Sequence, residues 1–554
     1  MSDTDVLVAG AGPTGLALAC GLRLHGVRVR VIDRADGPAT TSRANFVHAR
    51  GSEVLDRLGA LDGLPAEAGR ALRITTYLGD RPMMRLRFGD PGLRTAAPPM
   101  VVSQARVEAG LRRRLAELGV RPEWANGLRS ARQDDDGVTA RLSDGSDVRA
   151  AWLVGCDGTG STVRKAAGIT APGVRLSERF LLADLHLAID LDRSGTSGWV
   201  SPAGLLGLMP MPHPDGDLWR VFAYDPDGGA DRTLTQDEIL DRVTAAVPAR
   251  TGLTATVRGA EWLSEFTVHR RLADRYRAGR MLLAGDAAHA YAPFGGQGML
   301  TGLGDAENLA WKLALVVDGA AGERLLDTYE AERRPLAADV LRGTSAVTRV
   351  DVARSAVGRF LRDQVLVRVF RLGPVQRWST WTTSQLWVSY RKGPLGAAAR
   401  WARRPRPGDR VADLPLRRAD GSATRLHAEL RGSWALILPT ADHPLAATGD
   451  GAGEPPGPDA APGRAPLAAL GGHVTILHRP VPAPYRLGTE AGTAPHRSGT
   501  AAGAVSGGPD TGTGTGGAGD AWLVRPDGHL AWRGTRAADL DRWLRSALAT
   551  GRRP

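Results

Sequence analysis

The sequence predicts an α/β protein: a doubly wound parallel layer, an antiparallel sheet inserted into it, and a smaller C-terminal α/β unit. Three observations carry this. A strand–turn–helix–strand pattern with glycines at the turn fills residues 5–33. Alternating segments punctuated by turn residues fill 176–275. The strand–loop–helix pattern then resumes at Arg280 and stops at a Pro/Arg-rich stretch near residue 400. The expected domains are 1–175 and 276–400 as one layer, 176–275 as the insertion, and 405–554 as the C-terminal unit.

Each element has a local reason. Val6–Ala9 is a short apolar strand ending in Gly10, and Pro13–His25 is a helix with Leu18 and Leu22 one turn apart and Gly26 as its stop. Val27–Ile32 is rich in β-branched residues and ends on Asp33. Helices are expected at Ser52–Leu58 and Glu108–Gly119, then a hairpin across Asp144-Gly145. Leu181–Ile189 and Leu218–Tyr224 alternate as half-buried strands. Met281–Ala284 is again a strand, Met299–Val317 a long helix, and further helix runs to about residue 400. In the last unit, Trp434–Leu438 and Val474–Leu477 read as strands. Trp522–Val524 and His529–Trp532 form a hairpin across Asp527-Gly528, and Ala537–Leu548 closes as a helix. The stretches 441–466 and 488–519 are dominated by Gly, Ala, Pro, Thr and Ser and are expected to be mobile loops.

Composition excludes several classes. A formal charge of +12 suggests nucleic acid, yet only Lys165, Lys312 and Lys392 among the 71 basic residues are lysines, and the arginines are spread along the whole chain. A nucleic-acid binder concentrates its positive charge on one stripe, so none is expected as partner. Cys20 and Cys156 are the only cysteines, which rules out a disulfide framework, a zinc quartet and a flavin disulfide reductase. No signal peptide precedes Val6 and nowhere do 18 uncharged apolar residues run together, so a cytoplasmic protein without a membrane span is expected.

The chemistry is written in two glycine-rich segments. Gly10-x-Gly12-x-x-Gly15 joins the first strand to the first helix. Its glycines serve a tight turn, a close backbone approach to a pyrophosphate, and close helix packing, while the helix N-terminus offers N–H groups to the diphosphate. Asp33, with Arg34 beside it, is placed to accept from an adenosine ribose and would repel a 2′-phosphate, so the site is read as Rossmann-like, for FAD or NAD. A second match, Gly512-x-Gly514-x-x-Gly517, lies in low-complexity sequence with no strand before it and is assigned nothing. Asp286 ends an apolar strand, where its carboxylate can bind a sugar-like hydroxyl. Pro293, Gly295, Gly296 and Gly298 then form a loop almost without side chains, which opens a helix at Gly298 and Met299. Backbone can approach a flat ring there, and the first N–H groups would stabilise the negative charge of a reduced flavin. That favours FAD.

Taken together these residues resemble the aromatic-ring hydroxylases, the single-component FAD-dependent monooxygenases, and most of all the bacterial aromatic polyketide hydroxylases. The likeness rests on further segments: Ser42-Arg43-Ala44 and Gln104, at positions that contact FAD in the family, and Gly155-Cys156-Asp157-Gly158 with Ser161 and Arg164, associated with FAD and NAD(P)H. It extends through Tyr329-Glu330-x-x-Arg333-Arg334-Pro335, Pro407-Gly408-Asp409-Arg410 and Val524-Arg525-Pro526-Asp527-Gly528. The resemblance implies a C-terminal thioredoxin-like domain; here it lacks any cysteine and is expected to be structural. Leu300 stands where the family often has Asn. His289 and Cys156 are read as shaping and packing residues.

The implied reaction hydroxylates a polycyclic aromatic, polyketide-type substrate through a flavin C4a-hydroperoxide, consuming O2 and NAD(P)H, with NADPH the expected form. No acid–base dyad is assigned; the flavin-side loop Pro293, Gly295 and Gly296 is the candidate reacting wall. A Baeyer–Villiger oxygenation of a ketone stays open, because the same intermediate can act as nucleophile. A halogenase lacks a suitably placed lysine, and a non-catalytic flavoprotein is disfavoured by the complete set of FAD motifs. The substrate chamber is expected between sheet and flavin, lined by Leu205–Met211, Trp199 and Phe222, with Pro293 and Phe294 on the flavin side. The protein is expected to be a monomer or homodimer.

Overall fold

The computed structural model describes residues 3–41, 44–68, 73–79, 81–87, 99–201, 204–225, 232–291, 296–351, 372–396, 405–446, 473–479 and 519–548, with Thr95, Val369, Leu467 and Leu470. The sequence-derived candidates Arg43, Pro293, Phe294 and Gly295 lie outside these, as do most of the two Gly/Pro-rich stretches.

The first layer is built as its apolar runs require. Strand β1 (Thr4–Ala9) leads through the glycine turn into α1 (Pro13–Leu24), then β2 (Val29–Ile32). Helices α2 (Ala49–Leu58) and α3 (Gln104–Glu117) pack against α1 or near it. Between them, β3 (Arg73–Leu78) and β4 (Arg81–Arg87) leave the layer altogether. The layer resumes with β5 (Leu128–Gln133), β6 (Val138–Leu142) and β7 (Asp147–Gly155), followed by the one-turn helix α4 (Thr162–Ala166). β1 pairs in parallel with both β2 and β7. Every residue from Val6 to Ala9 is essentially buried, as a strand covered on both faces must be.

The second sheet begins with β8 (Gly173–Ile189) and continues through β9 (Gly195–Ser201), β10 (Gly204–Pro210) and β11 (Leu218–Asp225). Helix α5 (Gln236–Thr251), entered through a Thr235/Glu238 capping box, precedes the long β12 (Ala255–Leu272). Then β13 (Arg277–Ala278) and β14 (Met281–Leu283) return the chain to the first layer, where β14 pairs in parallel with β7. After β15 (His289–Ala290) come the helices α6 (Gln297–Val317), α7 (Arg324–Asp351) and α8 (Gly373–Thr383). The second sheet has eight strands in the order β15-β12-β8-β11-β10-β9-β3-β4. Two features were not read from sequence. Residues 73–87, expected in the first layer, form the far edge of this sheet, and α5 covers one of its faces. β3 joins β9 in parallel, a long-range pairing that local periodicity cannot reveal.

The strand period of two decides what each face does. On β8, Leu181, Ala183, Leu185 and Leu187 pack under α5 together with Trp199, Leu206 and Leu208. Leu182 points the other way and shares its row with Phe222 and Gly207.

The C-terminal unit is a six-stranded sheet. Its strands are β16 (Pro415–Arg418), β17 (Ala423–Arg425), β18 (Trp434–Leu438), β19 (Val474–His478), β20 (Ala521–Val524) and β21 (Leu530–Gly534), closed by α9 (Ala537–Leu548). It is joined to the first layer by buried charge. Arg525 forms a bidentate pair with Glu332 (2.8 and 3.0 Å), and Lys312 donates to the same carboxylate at 2.8 Å. Asp527 accepts from Asn308 at 3.3 Å, and Arg410 clasps the fully buried Glu53 on α2. Burial pushes the Lys312 ammonium down to about 8, against the pull of Glu332.

Candidate active site

Between the first layer and the open face of the eight-stranded sheet lies a cavity of about 1110 Å³. One wall is made by Gly12, Pro13, Thr14, Ala44, Gln104, Cys156, Gly158, Asp286, Gly296, Gly298 and Met299. These come from six separate segments of the first layer. The opposite wall is made by Leu182, Leu205, Gly207, Met209, Arg220, Phe222, Trp262, Phe266 and Thr267.

The glycine turn divides its work as the motif demands. Gly10 adopts φ +108, and a Cβ there would sit 2.3 Å from the Cys156 carbonyl oxygen, so the turn lies directly on the end of β7. A Cβ on Gly15 would sit 1.9 Å from the Gly10 oxygen, which lets α1 start tight against the turn. Gly12 has no protein atom within 4 Å of where its Cβ would be, and it faces the cavity. The same holds for Gly298. Space beside backbone N–H groups, kept clear by two glycines on two different turns, fits a diphosphate at one and a flat ring at the other.

Helix α6 supplies the second half of this cradle. Gly296, at φ +61, is its N-cap, and no side chain caps it. The first-turn N–H groups therefore point at the cavity wall that Gly298 and Met299 form. The turn carrying Asp286 is held from behind by Asp305 of α6. Its carboxylate accepts from the Gly285 N–H at 3.0 Å, from His289 Nε2 at 2.6 Å and from Arg333 Nε at 2.7 Å. Burial alone would raise the Asp305 carboxyl, but His289 and Arg333 hold it below its usual range. His289 is thus a brace for the turn, as the sequence reading has it.

The other predicted residues fall as follows. Asp33 ends β2 and accepts from the N–H groups of Ala11 (2.6 Å) and Ala35 (2.9 Å), so it closes the glycine turn; Arg34 beside it is exposed. Gln104 opens α3, donates to Glu108 at 2.8 Å and lines the cavity. Asp157 caps the start of α4, accepting from the N–H groups of Thr162 (2.6 Å) and Val163 (3.2 Å). Its neighbours Cys156 and Gly158, not Asp157, line the cavity. Leu300 is buried and turned toward Gly51 on α2, away from the cavity.

The sheet wall corrects the expected lining at three residues: Leu206 and Leu208 of the run Leu205–Met211 pack under α5, and so does Trp199. Trp199 is buried against Tyr77 on the α5 face and does not line the chamber, because it sits in register with Leu206. Leu205, Gly207, Met209 and Phe222 do. Sequence reasoning missed the polar row beside them. Asp184 and Arg220 are register partners joined by a bidentate pair (2.7 and 2.6 Å), and Trp262 lies opposite Asp184, with Arg220 over its ring at 5.2 Å. Arg179 likewise pairs with Glu265 at 3.3 Å. Only the register brings these together. Asn45, directly after the Ser-Arg-Ala segment, bridges the walls by donating to Met209 Sδ at 2.8 Å.

A Rossmann-like layer and an apposed sheet that share one cavity suit a dinucleotide cofactor on one wall and a small molecule on the other. The model of the FAD binding domain family matches residues 3–344. The chain belongs to this family and is an FAD-dependent monooxygenase. It is 42% identical over 357 residues to 6-methylpretetramide 4-monooxygenase of Streptomyces rimosus, covering 64% of this chain and 63% of that enzyme. It is 37% identical over 461 residues to the 12-dehydrotetracycline 5-monooxygenase/anhydrotetracycline 6-monooxygenase of Streptomyces rimosus, covering 80% and 86% of the two. The solved anhydrotetracycline hydroxylase from Streptomyces rimosus superimposes with a TM-score of 0.73 at 32% identity, over 98% of this chain and 99% of that one. Among the described residues no helix is long and apolar enough to cross a membrane.

Proposed function

We propose that the chain hydroxylates a polycyclic aromatic substrate of the polyketide type, using O2 and NAD(P)H, with NADPH the expected donor. The observation that supports this most is the single cavity whose two walls differ: glycine-lined turns on one side, aromatic and aliphatic side chains with a few paired charges on the other. FAD held on the first wall supplies the activation of oxygen. Gly12 and the N-terminus of α1 would hold its diphosphate, Asp286 a ribityl hydroxyl, and the first turn of α6 the pyrimidine edge of the ring. Asp33 and Arg34 lie at the adenosine end, with Gln104 and the Asp157 turn beside it. Arg43, Pro293 and Gly295 keep the roles assigned to them from sequence.

The chain's own tasks are positioning and exclusion of water. Leu182, Leu205, Met209, Phe222 and Phe266 offer a flat apolar bed for fused rings. Arg220 and Arg179, already paired and buried, offer fixed donors at its polar margin. The layer division and the thioredoxin-like character of the C-terminal unit belong to the same proposal. Names of relatives favour hydroxylation over Baeyer–Villiger oxygenation. The test is NADPH oxidation by the FAD-loaded enzyme with a panel of fused-ring phenols. Stimulation by tricyclic or tetracyclic phenols, with a product gaining a hydroxyl, is expected. Stimulation confined to single-ring phenols, or an ester product from a ketone, would reject the substrate assignment.

A further inference from the structure

We propose a second site, for one divalent transition-metal ion of the zinc type, at the solvent end of the eight-stranded sheet. It is formed by His186 Nε2 on β8, Glu261 Oε1 on β12 and His213 Nε2 in the turn between β10 and β11, with Asp217 as the outer partner of His186.

The ligand atoms converge from three places in the chain. His186 Nε2 lies 3.2 Å and His213 Nε2 3.5 Å from the same oxygen, Glu261 Oε1. All three ligand atoms lie within 4.8 Å of one another. An ion holding four N/O ligands at its usual bond length of about 2.0–2.1 Å keeps them about 3.3 Å apart. The two edges that meet at Glu261 Oε1 therefore have the length of a tetrahedral edge before any ion enters.

Backbone irregularity aims these side chains. Asp184 pairs with Trp262 and Leu185 with Ala260, so Glu261 is the extra residue of a β-bulge. A second register shift follows between His186 and Leu187. The bulge turns Glu261 onto the face that carries His186. His213 stands between Pro212 and Pro214 in a tight turn closed by the Gly216 N–H to the His213 carbonyl (3.0 Å).

Both ring nitrogens of His186 face carboxylate oxygens: Asp217 Oδ1 lies 2.7 Å from Nδ1 and Glu261 Oε1 3.2 Å from Nε2. With an ion on Nε2 the imidazole would keep its proton on Nδ1, toward Asp217, which is the usual outer support of a metal-bound imidazole. His213 Nδ1 accepts from the Asp215 N–H at 3.3 Å; on metal binding at Nε2 the ring proton would pass to Nδ1, toward Asp215 Oδ2 at 3.6 Å. Arg258 takes the other Asp217 oxygen at 3.7 Å. Two imidazoles and a carboxylate suit zinc, nickel or cobalt better than calcium or magnesium, which prefer all-oxygen sets. The ligands are 21%, 25% and 46% exposed, so an ion can enter from solvent.

Zinc chloride titrated calorimetrically into untagged, chelator-stripped, FAD-loaded enzyme near neutral pH should bind one equivalent in the micromolar range. Glu261→Gln and His213→Ala should each weaken it at least about tenfold, and Asp217→Asn by about 10–100-fold. Flavin content and the melting temperature in chelator should match wild type in all three, and zinc should raise the melting temperature of wild type alone. Magnesium should not bind. Absence of saturable zinc binding, with a protonated His186 bridging the two carboxylates instead, would overturn the proposal. So would binding that Glu261→Gln and His213→Ala leave unchanged.

Discussion

Gly12 and Gly15 belong to one motif, yet the structure assigns them different costs. An alanine methyl at Gly15 would lie 1.9 Å from the Gly10 oxygen. The turn and α1 must part by about 1 Å to admit it, at about 1–3 kcal/mol of overpacking. At Gly12 the methyl meets no protein atom within 4 Å, and the backbone there, φ −75 and ψ −176, suits any residue. Stiffening the unfolded chain stabilises by about 0.4–1 kcal/mol, and replacing a glycine N-cap by alanine offsets much of that. Gly12→Ala should therefore leave apo-protein stability within about 0.5 kcal/mol of wild type. The same methyl projects into the cavity. If a diphosphate rests there, an overpacking cost of about 1–3 kcal/mol falls on binding alone and weakens FAD by about 5- to 150-fold. Denaturant unfolding of stripped protein and fluorescence titration with FAD separate the two effects. Gly15→Ala should move both readouts and Gly12→Ala only the second. Wild-type FAD affinity in Gly12→Ala would refute the placement of the diphosphate at that turn.

Asp286→Ala should lose a charge-assisted hydrogen bond of about 1.5–3 kcal/mol and with it about 10- to 150-fold in FAD affinity, read in the same titration. Arg220→Met strands the buried Asp184 carboxylate and should cost about 3–5 kcal/mol in unfolding experiments, with Asp184→Asn added to it restoring a measurable part. His25, buried beside His473, has its imidazole pushed down to about 3 by burial and then by that neighbour. A depressed histidine is neutral when folded while the unfolded chain protonates near pH 6.5, so the stability it contributes is present above that pH. It is lost as pH falls toward about 3, at up to about 1.4 kcal/mol per pH unit. Wild type should therefore lose stability over that window relative to His25→Leu; parallel curves would contradict the burial argument.

Much of the first layer was legible because its signals are local. The glycine turn, the strand ending at Asp33 and the strand before Asp286 each lie within a few residues, and the structure places them side by side. The antiparallel character of the insertion was equally plain from its alternation. What stayed hidden depends on pairing between distant segments. Residues 73–87 look like any exposed hairpin until β3 is seen against β9. Trp199 and Phe222 are both aromatic strand residues, and only register sends one under α5 and the other to the chamber. The Asp184–Arg220 pair and the bulge at Glu261 have no sequence signature, because each is fixed by which residue stands opposite. Asp157 shows how one carboxylate divides its work: Oδ2 accepts from the first turn of α4, which its motif position does not reveal, while Oδ1 has no hydrogen-bond partner among the described residues.

The central claim is that one cavity brings FAD and a fused-ring substrate face to face for oxygenation. Product mass spectrometry under 18O2, with FAD-loaded enzyme, NADPH and a polycyclic phenol that stimulates NADPH oxidation, tests it most directly. The account predicts a product carrying one 18O atom as a new ring hydroxyl, and none when the label is supplied as water. A product of unchanged mass, or oxygen drawn from water, would contradict it.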